Sequence, residues 1–302
     1  TALYSPASEI RVRWLAPGGV TVDGAWWRAM IAAALARRAG ITDTACRVVH
    51  AEGDGLPSLI LDRYGDCAVA QLLSAGLEAV RDEVLAAIRD VLEPRGLLLR
   101  NDAPVRERER LPRGVELAFG EVPERLEYSE GGVRLLAAPW TGQKTGAFLD
   151  QRENRALLGT VASGRCLDVF AYHGGFALHM AAGAAAQVTA VDSSADALAV
   201  LEDNARLNGA TTVRTVEANA FDWLREAASG GERYHTIALD PPAFAKARGS
   251  LERAIAGYKE VNLRAMRLLA PGGWLFTASC SHHVHRGDFF AMLASAAADA
   301  GR

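Results

Sequence analysis

The sequence predicts an α/β protein whose larger part is a doubly wound parallel sheet. From about residue 141 to the end, apolar strand-like runs alternate with amphipathic segments of helical spacing. Such alternation is typical of a parallel sheet, because each helix carries the chain back to the start of the next strand. Residues 23–140 do not alternate in this way, and their pattern predicts a smaller α+β domain.

The first part of the chain predicts a mixture of hairpins and helices. "SEIRVRWL" alternates like a strand, and "GAWWRAMIAAALARRAGI" has helical spacing. "CRVVHAEGDGLPSLILDRYGDCAVAQLLS" predicts strands joined by Gly/Asp turns, and "LEAVRDEVLAAIRDVL" predicts an amphipathic helix. "GLLLRNDAPVRERERLPRG" predicts a strand and then a charged loop, whose arginines fit either a solvated face or an RNA-facing strand.

The second part predicts five strands separated by helices. The strands lie in "RCLDVFAYHGG", "QVTAVDSS", "TVRTVEANAFDWL", "YHTIALDPPAF" and "WLFTASC". The helices between and after them include "FALHMAAGAA", "ADALAVLEDNARLNGA", "SLERAIAGYKEVNLRAMRLLAPGG" and the final "FFAMLASAAADAGR". This order indicates a doubly wound sheet.

The composition restricts the classes of function. Half of the 302 residues are hydrophobic, enough for sizeable cores, and no window approaches about 18 uninterrupted apolar residues. We therefore expect a cytoplasmic protein without a membrane partner. The four cysteines include no CxxC pair, which argues against a disulfide framework or a zinc ribbon. Because the net charge is −3, a nucleic-acid partner would have to meet a local basic surface.

Lysine is scarce in this chain. The cationic residues comprise 30 Arg and three Lys, namely Lys144, Lys246 and Lys259. All three fall in segments that other patterns single out below. This pattern indicates that these positions need an ammonium rather than a guanidinium group.

The first three predicted strands end in residues suited to a cofactor, and ligands of doubly wound sheets bind at the carboxyl ends of strands. "DVFAYHGG" begins at Asp168 and offers a glycine turn, but it lacks the GxGxxG spacing of NAD or FAD sites. Asp192 is placed either to take both hydroxyls of a ribose or to cap the next helix. Asn219 suits an adenine edge or a simple turn.

The fourth and fifth strand ends carry reactive groups. In "LDPPAF", two prolines after Asp240 remove two backbone donors and stiffen the loop, and Phe244 can stack on a planar ring. Cys280, in "LFTASCSHHVHR", is by itself a core thiol, a metal ligand with the three following histidines, or a nucleophile. The histidine spacing is unsuitable for zinc, so no metal site is predicted.

These motifs resemble those of a known family. "LDVFAYHGGF", "AVDSS", "VEANAF" and "LDPPAF" resemble the successive motifs of class I S-adenosylmethionine-dependent methyltransferases. "TGQKTGAFLDQRENR", "DPPAFAK", "GYKEVNLRAMRLL" and "SCS" are similar, more narrowly, to the bacterial large-subunit rRNA cytosine-C5 methyltransferases, over nearly all of the chain. The resemblance implies a PUA-like remnant over residues 1–22, a middle domain over 23–140 that lines the substrate cleft, and a methyltransferase domain over 141–302. It also implies truncation at both ends.

The resemblance implies a role for each candidate site residue. Cys280 would attack C6 of a cytosine, and Asp240 would hold its N3 edge. The residues expected to bind S-adenosylmethionine are Asp168, Phe170, Tyr172, Gly174, Asp192, Ser193, Asn219, Ala220, Gln151 and Arg152. Those expected to bind the substrate are Lys144, Pro241, Pro242, Phe244, Lys246 and Lys259. The implied partner is large-subunit ribosomal RNA, and a homodimer is left open.

Three features depart from the family pattern. Asn219 stands where an aspartate is usual, and His235 stands where Phe-Asp is typical before the fourth strand. The turn reads Tyr172-His173-Gly174, where a smaller residue than histidine is commoner. None of the three involves Cys280 or Asp240, so the departures bear on cofactor affinity rather than on the type of reaction.

Two other functions stay open at the level of sequence. The "DPPAF" loop also resembles the loop that grips the exocyclic amine of adenine or guanine, a chemistry that needs no cysteine. A methyltransferase-like fold could also serve only as an RNA-binding or assembly factor, for which Asn219 and His235 give slight support. We predict 5-methylcytidine formation through a covalent Cys280–C6 adduct, because Cys280 ends the strand across from Asp240.

Overall fold

The computed structural model describes residues 1–244 and 251–302, so the predicted substrate contact Lys246 lies outside the described residues. The chain divides into two compact units, Thr1–Asp150 and Gln151–Arg302. Each unit is described by itself below.

The first unit is built on a mixed five-stranded sheet. Its strands are β1 (Ala2–Tyr4), β2 (Val12–Trp14), β3 (Ala45–His50), β4 (Leu59–Tyr64), β5 (Cys67–Leu72), β6 (Gly96–Arg100), β7 (Val115–Gly120), β8 (Leu126–Glu130) and β9 (Val133–Ala137). Its helices are α1 (Gly24–Ala36), α2 (Ala75–Glu78), α3 (Arg81–Leu92) and α4 (Val105–Arg108). The sheet order is β3-β4-β5-β6-β7; β5 and β6 are parallel and the other neighbours antiparallel. Strands β1-β2 and β8-β9 form separate antiparallel pairs.

Most elements predicted in this unit are confirmed, with two differences. The helix predicted over residues 77–92 is divided into α2 and α3, with Ala79 and Val80 between them. The charged loop predicted after β6 contains the short helix α4, in which Arg106 is buried and pairs with Glu78 at 2.9 Å. Arg106 is therefore a structural cation, and both interpretations of this segment, a solvated face and an RNA-facing strand, are wrong for Arg106.

Residues 141–150, predicted as the start of the methyltransferase domain, lie in the first unit. Thr145 is fully buried, and its hydroxyl donates to the buried carboxylate of Asp62 at 2.6 Å. The guanidinium of Arg100 donates to the carbonyl oxygens of Pro139 and Gly142 at 2.7 and 2.8 Å. These buried bonds fix the segment on the first unit. The predicted three-part division of the chain stays a prediction.

The second unit is a parallel sheet covered by helices. Its strands are β10 (Ser163–Val169), β11 (Ala184–Asp192), β12 (Val213–Glu217), β13 (Tyr234–Leu239) and β14 (Leu269–Thr277). Its helices are α5 (Arg152–Val161), α6 (Gly175–Ala182), α7 (Ala195–Leu207), α8 (Ala220–Ser229), α9 (Leu251–Leu268) and α10 (Arg286–Asp299). The sheet order is β12-β11-β10-β13-β14, and every neighbouring pair is parallel. The strand order reverses between β10 and β13, so a ligand crevice is expected at their carboxyl ends.

Two apolar cores cover the two faces of this sheet. Successive side chains of a strand point to opposite faces, and β10 divides accordingly. Cys166 packs in the core that includes residues of α5, α6 and α7, whereas Leu167 packs in the core that includes residues of α8 and α9. Helices on both faces of an all-parallel sheet confirm the predicted doubly wound fold, and Cys166 is a core thiol as expected.

His235 lies at the opposite end of β13 from Asp240. Its Nδ1 accepts a hydrogen bond from the backbone N–H of Arg165 at 3.2 Å. The ring also lies against Gly164, where a β-carbon would approach Nδ1 to 2.6 Å. The register of β10 shifts between Gly164 and Arg165, and His235 supports that irregularity. The departure at His235 is therefore structural and gives no support to a non-catalytic function.

Candidate active site

The turn between β10 and α6 has an unusual backbone. Phe170, Tyr172 and Gly174 have φ angles of 67°, 48° and 81°. Left-handed backbone costs a non-glycine residue about 1–2 kcal/mol, and such strain concentrates at functional sites. Three of the predicted cofactor contacts thus form one strained turn at the carboxyl end of the central strand.

Asp192 holds this turn in place. Its Oδ2 accepts a hydrogen bond from the N–H of Tyr172 at 2.8 Å, and its Oδ1 accepts from the N–H of Ser194 at 2.9 Å. Ser194, rather than Asp192, is the N-cap of α7, because its side chain accepts from the N–H of Ala197. The alternative that Asp192 caps the helix is therefore wrong. Asp192 joins the second strand end to the strained turn, and its neighbour Ser193 is exposed.

Asp168 is the most deeply buried of the predicted cofactor residues. Its Oδ2 accepts a hydrogen bond from the N–H of Ala177 at 2.9 Å, while its Oδ1 is buried without a hydrogen-bond partner among the described residues. The pKa of Asp168 is raised to about 7, mainly by burial and also by the charges of Asp240 and Asp192, while the hydrogen bond from Ala177 opposes the rise. A cationic ligand group at Oδ1 would favour the ionised form.

Asn219 caps α8 with its side chain. Its Oδ1 accepts hydrogen bonds from the N–H groups of Phe221 and Asp222 at 2.9 and 3.4 Å. The turn-forming role anticipated as an alternative is thus present. Because the amide oxygen serves the helix, an adenine contact would be made by the Nδ2 group of Asn219. Ala220, the first helical residue, is buried.

Asp240 and Cys280 follow β13 and β14, which are adjacent strands. The exposed thiol of Cys280 donates to the carbonyl oxygen of Pro241 at 3.6 Å, so it lies against the loop that carries Asp240. Oδ2 of Asp240 accepts a hydrogen bond from Nε2 of Gln151 at 3.0 Å. The structure therefore brings together the two residues predicted to be catalytic.

Phe244 belongs to an aromatic cluster. Its ring lies 4.6 Å from that of Tyr258, 5.6 Å from that of Phe221 and 6.3 Å from that of Phe170, between ring centroids. Of the two prolines before it, Pro241 is buried and Pro242 exposed. The hydroxyl of Tyr258 also forms a buried 2.8 Å hydrogen bond with Ser281, next to Cys280. The cluster thus joins the Asp240 loop, α9 and the segment after β14.

Most of the sequence matches a known family. The model of the S-adenosylmethionine-dependent methyltransferase family matches residues 84–300. The chain belongs to the S-adenosylmethionine-dependent methyltransferases. The matched segment includes β10–β14 and the strand-end residues described above, so S-adenosylmethionine is the cofactor of this methyltransferase.

Curated relatives of this methyltransferase align over almost all of its length. "Ribosomal RNA large subunit methyltransferase I" of Aeromonas hydrophila is 40% identical over 309 residues, covering 99% of this chain and 78% of that protein. The protein of the same name from Klebsiella pneumoniae is 38% identical over 312 residues, covering 99% of this chain and 77% of that protein.

Solved structures support the fold. A methyltransferase complexed with SAH superposes with a TM-score of 0.83 at 22% identity, over 98% of this chain and 78% of that one. A SAM-dependent methyltransferase from Streptococcus mutans gives a TM-score of 0.82 at 22% identity, over the same shares. At this identity the likeness concerns the fold alone, and it agrees with the class I methyltransferase fold predicted from the sequence.

The strand-end residues fit this cofactor. The methionine end of S-adenosylmethionine carries an ammonium and a sulfonium, and the buried Oδ1 of Asp168 lacks a partner among the residues described. Asp168 would hold that cationic end, and Asp192 would face the ribose beside the turn. The individual cofactor contacts, including those of Phe170, Tyr172, Gly174 and Ser193, stay predictions.

The remaining predicted residues have protein partners. Lys144 lies in the first unit, where its ammonium pairs with Asp150 at 2.8 Å. Lys259 on α9 pairs with Asp299 of α10 at 2.7 Å. Arg152 pairs with its neighbour Glu153. To make the predicted contacts with substrate or cofactor, each cation would have to leave its carboxylate partner or contact both groups at once.

Three residues that support the site were not singled out from the sequence. Asn204 of α7 is fully buried, and its Nδ2 donates to the carbonyl oxygen of His173 at 2.9 Å. Arg155 of α5 is buried against Gly175, where a β-carbon would approach its Cδ to 2.7 Å. Asn154 donates to Gln151. Asn154 and Arg155 belong to the "QRENR" motif and could have been predicted from it, whereas no sequence motif pointed to Asn204.

The histidines after Cys280 do not form a metal site with other described residues. Within residues 1–244 and 251–302, no group of three or more His, Cys, Asp or Glu side chains is arranged to hold a metal ion. His282 and His283 stack on each other, with ring centroids 5.5 Å apart. No helix in the described part of the chain is both long and apolar enough to span a bilayer.

Proposed function

We propose that this methyltransferase forms 5-methylcytidine in large-subunit ribosomal RNA. The observation that carries the proposal is the position of the Cys280 thiol against the Asp240-Pro241-Pro242 loop, at the ends of two adjacent parallel strands. The ribosomal RNA substrate is proposed because the curated relatives are named for it. A thiol in this place has a use in C5 chemistry and none in methylation of an exocyclic amine.

The nucleophile in this proposal is Cys280. Carbon 5 of cytosine is a weak nucleophile, and addition of a thiolate at C6 converts the ring into an enamine whose C5 is electron-rich. S-adenosylmethionine, when bound, supplies the methyl group that C5 takes. Loss of the C5 proton to a base then restores the C5–C6 double bond and expels Cys280.

Asp240 is proposed to act on the N3 edge of the same ring. A proton delivered to N3 offsets the negative charge that develops when the thiolate adds to C6. When Cys280 is expelled and the ring regains its aromaticity, the proton returns from N3 to the carboxylate of Asp240. The position beside Cys280 suits this role, because the ring atoms N3 and C6 lie on opposite sides of one small ring that both groups must reach.

The target cytosine must leave its helical stack to reach such a site, which favours a loop or partly unfolded RNA. We propose that Pro241, Pro242 and Phe244 line the place of the flipped base. Lys144, Lys246 and Lys259 are proposed to meet the phosphate backbone, as ammonium groups commonly do.

The first experiment tests the product. Unmodified large-subunit rRNA is incubated with the enzyme and S-adenosylmethionine, and its nucleosides are analysed by mass spectrometry. We expect 5-methylcytidine with the wild type, and a loss of at least about 1,000-fold in rate with Cys280→Ala, because the covalent step is removed. Cys67→Ala, which removes a buried thiol of the first unit, is the matched control and should retain activity.

A different product would contradict the proposal. Methylated adenosine or guanosine, with Cys280→Ala still active, would favour an exocyclic-amine methyltransferase. No methylated product and no binding of S-adenosylmethionine would favour an RNA-binding or assembly factor.

A second experiment traps the adduct. RNA that contains 5-fluorocytidine has no C5 proton to lose, so Cys280 should stay bonded to C6 after methyl transfer. We expect a complex of enzyme and RNA that survives denaturing electrophoresis with the wild type and with Cys67→Ala, but not with Cys280→Ala. If Cys280→Ala still forms the complex, Cys280 is not the nucleophile.

A further inference from the structure

The Asp240 carboxylate is held by a residue far away in the sequence. Gln151, which ends the short 3-10 turn Leu149–Gln151, donates from Nε2 to Oδ2 of Asp240 at 3.0 Å across 89 residues of sequence. The two residues that follow Asp240 are prolines, which have no N–H, so neither can hold the carboxylate through its backbone. Gln151 supplies a donor in their place.

The orientation of the Gln151 amide is fixed in turn by Asn154. Nδ2 of Asn154 donates to Oε1 of Gln151 at 2.6 Å. Because Oε1 accepts this bond, the NH2 group of the same amide faces Asp240. Residues three apart on a helix lie on one face, and Asn154 is three residues after Gln151, the N-cap of α5. Asn154, Gln151 and Asp240 thus form a chain of two hydrogen bonds.

We infer that Gln151 is a positioning residue for Asp240 and that Asn154 fixes the Gln151 amide. The inference rests on the proposed function, since it takes Asp240 to meet the target base. An amide carries no charge, so its hydrogen bond orients the carboxylate while favouring the ionised form less than an ion pair with a lysine or arginine would. A proton can therefore pass between Asp240 and the base.

This role differs from the cofactor contact predicted for Gln151 from the sequence. Gln151→Ala removes the Nε2 hydrogen bond that orients Asp240, and misplacement of a reacting group by about 1 Å can cost about 100-fold in rate. We expect Gln151→Ala to lower kcat by about that factor, with the Kd for S-adenosylmethionine by calorimetry unchanged. An unchanged Kd also shows that the variant is folded.

The matched control is Gln187→Ala, an exposed position on β11 in the same unit. It should leave both kcat and Kd unchanged. If Gln151→Ala raises the Kd and keeps kcat, Gln151 is a cofactor contact and the inference is wrong. It is also wrong if Gln151→Ala behaves like the control.

The pH dependence of kcat distinguishes a positioning role of Gln151 from a merely structural one, because a structural role would not shift the profile. Gln151→Glu places a second carboxylate within hydrogen-bond distance of Asp240, and two carboxylates so close do not both ionise readily. The pH–kcat profile should move to higher pH by about one unit. A profile that keeps its wild-type position would contradict the contact between Gln151 and Asp240.

A double-mutant cycle tests the outer bond. Asn154→Ala should lower kcat by about tenfold, and the double variant Gln151→Ala/Asn154→Ala should be no slower than Gln151→Ala, because Asn154 acts through Gln151. Additive losses would mean that Asn154 acts independently of Gln151.

Failure of the proposed function can be distinguished from failure of this inference. If the wild-type product is not 5-methylcytidine, the proposed function fails. The positioning role of Gln151 is judged instead by kcat for the methylated nucleoside that is formed.

Discussion

Asp168 is a carboxylate whose environment opposes its charge. It is 1% exposed, and one of its oxygens is buried without a partner in the described part of the chain. Burial raises its pKa to about 7, compared with an ordinary value near 3.8. The folded state therefore binds the Asp168 proton more tightly than the unfolded state. The free energy of unfolding should fall as the pH rises from about 4 to about 7, and the loss is complete above pH 7.

Removing this charge should stabilise the protein and weaken cofactor binding. Asp168→Asn keeps an acceptor for the Ala177 N–H but cannot ionise. We expect it to raise Tm at about pH 8 and to change it much less at about pH 5, where the wild-type carboxyl is largely protonated. Binding of S-adenosylmethionine should weaken by about tenfold or more, since a cationic group loses its anionic partner.

Thermal melting at both pH values and calorimetry with the cofactor check this prediction. Asp222→Asn, at an exposed position in the first turn of α8, is the control and should show no such pH dependence. Equal effects of Asp168→Asn on Tm at both pH values would mean that the protonation of Asp168 does not change between them, which would contradict the raised pKa. Unchanged cofactor affinity would remove Asp168 from the cofactor site.

At the scale of elements, helix α7 supports the strained turn between β10 and α6. Asn204 is fully buried, and its Nδ2 reaches the carbonyl oxygen of His173 inside that turn. Removing one partner of a hydrogen bond that is shielded from water costs about 1–3 kcal/mol. Because Phe170 and Tyr172 hold a backbone that is unfavourable for their residue types, the turn should relax when such a support is removed.

Asn204→Ala should therefore reduce stability and cofactor affinity together. We expect a loss of about 1–3 kcal/mol in the free energy of unfolding, measured by urea titration, and a weaker Kd for S-adenosylmethionine. Asn208→Ala is the matched control: it ends the same helix, and its Nδ2 donates to the carbonyl oxygen of Asn204. It should affect stability slightly and cofactor affinity not at all. Loss of stability with unchanged affinity would mean that the turn keeps its shape without Asn204.

At the scale of the whole molecule, the two compact units have separate apolar cores. The predicted cofactor residues all lie in Gln151–Arg302, and the core of the first unit is formed by residues of Thr1–Asp150. A ligand stabilises the state that binds it, by about 2.7 kcal/mol at 100 times its Kd. Amides that exchange through local opening of the binding unit should respond most.

Hydrogen exchange should therefore locate the cofactor in the second unit. We expect S-adenosylmethionine to slow exchange in the turn after β10 and in the first turns of α6, α7 and α8. Amides of β3 to β6, in the core of the first unit, serve as the internal control and should change little. Protection that rises equally in both sets would show that the two units unfold as one.

The five strand-end residues could be predicted from the sequence. Apolar periodicity is a local property, and in a parallel sheet all carboxyl ends share one edge. The sequence therefore indicated that Asp168, Asp192, Asn219, Asp240 and Cys280 would be neighbours at that edge. The doubly wound fold was predictable for the same reason, whereas the cofactor was predicted from the resemblance of the local motifs to those of class I methyltransferases.

Other features depend on contacts between residues that are distant in sequence, so they could not be predicted from the local sequence pattern. The break between α2 and α3 and the burial of Arg106 arise from packing within the first unit. The strained backbone of the turn after β10 is stabilised by Asp192 and Asn204, which lie further along the chain.

The sequence by itself determined the type of fold, the cofactor and the two residues proposed for the chemistry. Only the tertiary structure decided which groups contact these two residues. The thiol of Cys280 donates to the carbonyl oxygen of Pro241, and the amide of Gln151 donates to the carboxylate of Asp240. The physical reason is the separation in sequence between the residues that interact. Helix and strand formation follows side chains a few residues apart, whereas a hydrogen bond across 89 residues exists only after the sheet has assembled.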